Sequence, residues 1–175
     1  MIDIFFICSY LALFVLPADA TQQEIYRILF VHVPAAIFSE LIYIFMACCG
    51  FIYLVWKTKI SAIMLRSAIS LGLVFTLIVL ISGAIWGKPT WGTYWVWDAR
   101  ITSTFILLIQ YIGLLALRTS FNTMQTTDQI LSIVAIVGAI NIPIIKFSVN
   151  WWNTLHQNAS ITFSGSSIDA EMLYV

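Results

Sequence analysis

Four stretches of this chain, residues 29–56, 65–86, 101–118 and 129–149, are apolar over lengths suited to crossing a membrane. A helix needs about 20 apolar residues to traverse a hydrocarbon core about 30 Å thick. Lipid offers no hydrogen bonds to a bare backbone, so each stretch must satisfy its own amides as a helix. Of the 175 residues, 61% are hydrophobic and only 9% charged, whereas soluble domains carry about 25% charged residues. A water-soluble fold of this size cannot hide that much apolar surface. The expected fold class is therefore all-α: a polytopic transmembrane helix bundle, with residues 1–175 forming one integral membrane domain.

A fifth apolar stretch, residues 4–16, precedes Ala18-Asp19-Ala20, a small-residue pattern of the kind found at cleavage sites. No Lys or Arg comes before it and Asp3 stands where a secretory signal carries positive charge. It reads as a clipped or tilted first transmembrane helix, which brings the expected spans to five. The connectors then alternate: segments 17–27, 87–100 and 150–171 share one face, and links 57–64 and 119–128 the other. Lys57, Lys59, Arg66 and Arg118 on one side balance Arg27, Lys88, Arg100 and Lys146 on the other. The 57–66 link holds three of its positives without an acid, which places it in the cytoplasm by the positive-inside rule. The zero net charge gives no sign of a nucleic-acid surface. Cys8, Cys48 and Cys49 all lie in apolar runs and read as small core or lipid-facing residues.

Six of the seven tryptophans fall on the expected outer face: Trp86, Trp91, Trp95, Trp97, Trp151 and Trp152. An aromatic belt explains one or two per helix end. Four between residues 86 and 97, interleaved with Gly87, Pro89 and Gly92, suit a belt or a loop offering indole faces to a flat apolar ligand. Gly and Pro are expected to stop the helix there and lay the loop along the membrane surface. Both histidines of the chain, His32 and His156, lie on the same face. Two neutral imidazoles can fill both axial positions of a haem iron, and each taken singly also suits an interfacial residue. Arg100, Lys88 and Arg27 are candidates for the two haem carboxylates, since a guanidinium grips a carboxylate with two parallel hydrogen bonds. Asp98 can instead pair with Arg100 or Lys88 to clamp the loop. Glu40 sits inside the 29–56 stretch, where an ionisable group is costly.

The stretch WGKPTWGTYWVWDARITS, residues 86–103, resembles the tryptophan-rich signature of the haem-handling WWD family. The segments RILFVHVPAA at 27–36 and NIPIIKFSVNWWNTLHQ at 141–157 resemble its CcmC branch, found in bacterial and mitochondrial cytochrome c maturation. The resemblance implies that the 86–103 loop lies on the outer face and binds haem non-covalently (b-type), through Trp86, Trp91, Trp95, Trp97 and Arg100. It implies that His32 and His156 are the axial iron ligands. It further implies presentation of haem to a membrane-anchored haem chaperone. An ATP-binding-cassette transporter pair and a small single-helix subunit complete the implied set of partners. The implied location is the bacterial inner membrane with the haem site facing the periplasm, the mitochondrial inner membrane being the alternative. Six transmembrane helices are usual in the family, against the five counted here.

The role so implied is presentation and not catalysis. No G-x-x-x-x-G-K-[ST] phosphate loop exists, so ATP hydrolysis belongs to a partner. Two alternatives remain: a haem lyase-type member of the same superfamily, whose proteins are generally much larger, and a membrane enzyme using Asp98 and a histidine for acid–base work.

Overall fold

The computed structural model describes residues 10–16, 18, 22–152, 156, 161–162 and 165–166. Five helices carry the fold: α1 (Leu29–Trp56), α2 (Lys59–Trp91), α3 (Ala99–Leu117), α4 (Met124–Gly138) and α5 (Asn141–Trp151). A 3-10 turn, Glu24–Ile28, leads into α1, and a π-helical turn covers Leu11–Val15. A two-residue antiparallel pair, β1 (Ile161–Thr162) and β2 (Gly165–Ser166), sets Ile161 opposite Ser166. Among the described residues, four helical segments are long and apolar enough to cross a membrane: Glu24–Trp56, Lys59–Trp91, Ala99–Leu117 and Met124–Trp151. The all-α membrane bundle expected from the apolar runs is what forms. Of the first span expected over residues 4–16, residues 10–16 are described and residues 4–9, Cys8 among them, lie outside the described residues.

The core is built from large side chains set against glycines. Tyr43 on α1 and Tyr111 on α3 are fully buried and meet edge to face at 5.2 Å. A Cβ at Gly72 on α2 would collide with the Tyr111 ring, and one at Gly138 on α4 with the Tyr43 hydroxyl. Small residues let membrane helices approach closely, because lipid supplies no hydrophobic drive to hold them together. The Tyr111 hydroxyl donates to the Ser39 carbonyl at 2.8 Å, tying α3 to α1. Met46, Leu65, Ile69, Leu107, Leu114 and Leu131 complete this layer. Phe38, Leu41, Phe45, Ile81, Ile109 and Ile133 point outward, as a bundle solvated by acyl chains requires.

Two departures from the sequence expectation shape one end of the bundle. The 129–149 stretch is not one helix but breaks at Ala139–Ile140. Pro143, third in α5, has no N–H to give to the Ala139 carbonyl, and its ring would press on that carbonyl. After the break the Asn141 amide donates to the Ser103 carbonyl at 2.9 Å, which docks α5 on α3. Conversely, Gly87 and Pro89 do not stop α2, which continues to Trp91 and ends at Gly92 with φ +80°. The Thr90 hydroxyl donates to the Trp86 carbonyl at 2.8 Å. Of the 86–103 segment, only residues 92–98 are non-helical.

Candidate functional site

His32 is the fourth residue of α1 and points at α2. Its Nδ1 lies 2.9 Å from the Ser82 hydroxyl. That hydroxyl also reaches the Ile78 carbonyl at 2.6 Å. A carbonyl only accepts, so this contact claims the single hydroxyl proton. Ser82 therefore accepts from His32, which makes Nδ1 the protonated nitrogen and leaves the lone pair on Nε2. Gly83 makes room for the ring, since a Cβ there would stand 3.1 Å from His32 Cε1. Trp86, one turn further along α2, meets the imidazole edge to face at 5.7 Å. The Trp86 indole is itself fixed by donating to Gln22 Oε1 at 2.9 Å.

His156 reaches the same end of the bundle from beyond α5. Its Nδ1 is 2.7 Å from Asp98 Oδ2. The other oxygen of that carboxylate accepts the Ile101 amide at 2.8 Å and caps α3. Asp98 is thus held twice, and its side chain is only 6% exposed. Because an ionised carboxylate only accepts, Nδ1 of His156 is also the protonated nitrogen. Burial pushes the His156 imidazole below its ordinary pKa, while Asp98 pulls it back up. Trp91 packs on His156 with ring centroids 4.8 Å apart. Gly87 accommodates that indole, as a Cβ there would be 3.1 Å from it.

The last two turns of α2 therefore carry one tryptophan for each histidine, Trp86 for His32 and Trp91 for His156. Trp95 and Trp97 are placed differently. They pack on each other at 5.3 Å and on Phe105 of α3 at 5.8 and 6.0 Å. Trp151 and Trp152 are exposed at the same end of α5.

The cations divide clearly. Arg27 is taken up by Glu24 at 2.6 Å and by the carbonyls of Ala12 and Leu16. Lys88 donates to the Gly92 carbonyl at 3.0 Å and covers the Tyr94 ring. Arg100 makes no ion pair among the described residues and its Nε is buried without a hydrogen-bond partner. Arg100 is the second residue of α3, two positions from the Asp98 that holds His156. Trp95 Nε1 is likewise buried and unpaired. The clamp considered between Asp98 and Arg100 or Lys88 is not formed: Asp98 is held by His156 and the α3 amide. Ser82 and this role of Asp98 escaped the sequence reading. Ser82 is one hydroxyl in an apolar run, and the partner of Asp98 lies 58 residues away in the chain.

These residues suit haem on three counts. Porphyrin brings four nitrogens of its own, so iron would ask only two of the protein, and both imidazoles engage a neighbour through Nδ1. The flanking indoles are apolar and flat. The orphaned donors on Arg100 and Trp95 match carboxylates that arrive with the cargo. Among the described residues no group of three or more His, Cys, Asp or Glu forms a metal cage.

Fold and site together define a multi-pass helical membrane protein with paired imidazoles and clustered indoles at one end. Residues 1–175 match the family model described as Heme exporter protein C, and the chain belongs to this CcmC family. It is 49% identical over 164 residues to a Marchantia polymorpha protein called putative cytochrome c biosynthesis ccmC-like mitochondrial protein, covering 94% of this chain and 69% of that one. It is 47% identical over 156 residues to the Heme exporter protein C of Escherichia coli K12, covering 89% of this chain and 63% of the relative. For the protein of that name from Bradyrhizobium diazoefficiens the identity is 42% over 158 residues, covering 90% and 60%. The chain thus spans about 60–69% of the length of these relatives.

Proposed function

We propose that this chain holds haem non-covalently at the outer face of its membrane and presents it to a haem chaperone for c-type cytochrome maturation. His32 and His156 supply the axial nitrogens. Trp86 and Trp91 flank them, Trp95 and Trp97 extend the apolar surface, and Arg100 takes a haem carboxylate. The observation that carries this reading is the convergence of the two histidines of the chain, each with Nδ1 already engaged. The names of the family and of its relatives point the same way. The partners in this reading are the haem chaperone, ATP-binding-cassette transporter subunits and a small single-helix subunit. The membrane is the bacterial inner membrane with the site toward the periplasm, or else the mitochondrial inner membrane. The chain itself makes no covalent bond to haem: it binds, orients and releases.

The 2.7 Å Asp98–His156 contact also suits a general base, which favours a membrane enzyme as the second reading. That reading leaves the His32–Ser82 pair and the orphaned donors without a role. An optical titration of the purified chain with haemin separates the two. Haem handling predicts saturable uptake at one equivalent with a low-spin spectrum. An enzyme reading predicts no stoichiometric uptake, and that result refutes the proposal.

A further inference from the structure

Ser82 and Asp98 occupy matching places behind the two imidazoles. Each holds an Nδ1, at 2.9 Å for Ser82 and 2.7 Å for Asp98, and each is itself pinned by backbone, Ser82 at the Ile78 carbonyl and Asp98 at the Ile101 amide. Their chemistry is unequal. Ser82 is a neutral hydroxyl, whereas Asp98 is a buried carboxylate whose hydrogen bond is charge-assisted and correspondingly stronger. A carboxylate behind a ligating imidazole fixes its tautomer and raises its basicity. A neutral hydroxyl does the first and little of the second.

Resting on the proposed haem role, we infer that Asp98 and Ser82 are positioning residues that set the two ligands unequal: Asp98 makes His156 the anchoring ligand, and Ser82 leaves His32 as the weaker one, released first. Haem then leaves by losing the bond to His32 while His156 still holds it, and an incoming ligand takes the iron face that His32 vacates. Asp98 also links the anchor to the helix that carries Arg100, because one carboxylate caps α3 and holds His156.

Asp98→Asn isolates this role. Asn caps a helix as well as Asp does, so the α3 end survives. Asn has only one oxygen for two donors, however. With that oxygen on the Ile101 amide, its NH2 faces His156 Nδ1, which must then accept. The imidazole proton moves to Nε2, the atom that iron needs.

The test begins without haem. In the full chain labelled with 15N-histidine, both residues should be Nδ1–H tautomers, and Asp98→Asn should convert His156 alone. With haemin added, Asp98→Asn should weaken affinity about 10–100-fold, the usual loss for a partner behind a metal ligand, and move the reduction potential positive. Ser82→Ala should cost less than about 10-fold on the same scale. Carbon monoxide added to the ferrous protein should displace His32, giving the spectrum of the His32→Ala adduct and not that of His156→Ala. An adduct matching His156→Ala reverses the order and overturns the inference. Unchanged tautomers, affinity and potential in a well-inserted Asp98→Asn protein overturn it while leaving the haem role standing. Failure of the unsubstituted chain to take up haemin overturns both.

Discussion

Gly83→Ala reaches the proposed iron site with one methyl group and removes no ligand. The new Cβ would stand 3.1 Å from His32 Cε1 and 3.7 Å from Nδ1. Carbon contacts settle at about 3.5–4.0 Å, so the ring must retreat by a few tenths of an ångström. Ser82 holds Nδ1 at 2.9 Å on the neighbouring position of α2, so the ring cannot swing aside without losing that bond. Metal–ligand distances tolerate only about 0.2 Å. Overpacking of this kind costs about 1–3 kcal/mol. If about 1.4 kcal/mol of it falls on the iron bond, haem affinity drops about tenfold. The control is Gly113→Ala, where a Cβ meets nothing within 4 Å and removal of glycine from a helix interior favours folding. Haemin titration of the detergent-solubilised proteins, with the high-spin fraction read optically, should show a loss for Gly83→Ala only. Equal affinity and spin state in the two variants would refute the reasoning that His32 ring placement limits binding.

Three further outcomes are expected. Arg100→Ala should lower haem retention more than Arg100→Lys at unchanged membrane protein level, because Lys keeps the charge and loses the planar fork; equal loss in both would remove Arg100 from carboxylate binding. Joint replacement of Trp91, Trp95 and Trp97 by Ala should reduce haem occupancy in inserted protein, whereas full occupancy would leave these indoles as a belt. A cysteine at Thr93 should react with an impermeant thiol reagent from the periplasmic side and one at Thr58 should not, since they lie at opposite ends of α2; the reverse pattern turns the site inward.

The spans were legible because lipid forces long uncharged runs on any chain that crosses it, and counting those runs puts His32, His156 and six tryptophans at one end before any coordinates are known. Their pairing was not legible. Helix phase alone could not say that Trp86 meets His32 while Trp91 meets His156, because the expected break at Gly87 and Pro89 hid the continuous helix α2 that carries both. The Thr90 hydroxyl bonds back to the Trp86 carbonyl within that last stretch of helix. Sequence proximity offers Asp98 the neighbours Lys88 and Arg100, yet three-dimensional closure brings His156 to it. Pro143 marks the α4–α5 break by its missing N–H, but within a stretch long enough to span it passed as one helix.

The central claim is that His32 and His156 both bind the iron, and the spin state of haem in single variants tests it most directly. Two imidazole nitrogens give a strong axial field, so the unsubstituted protein should be low-spin. His32→Ala and His156→Ala should each open one axial position and shift the spectrum toward high spin. Added imidazole should partly restore the low-spin form in both, and the double variant should lose most of its haem. A low-spin spectrum that survives in both single variants without added imidazole would contradict the assignment.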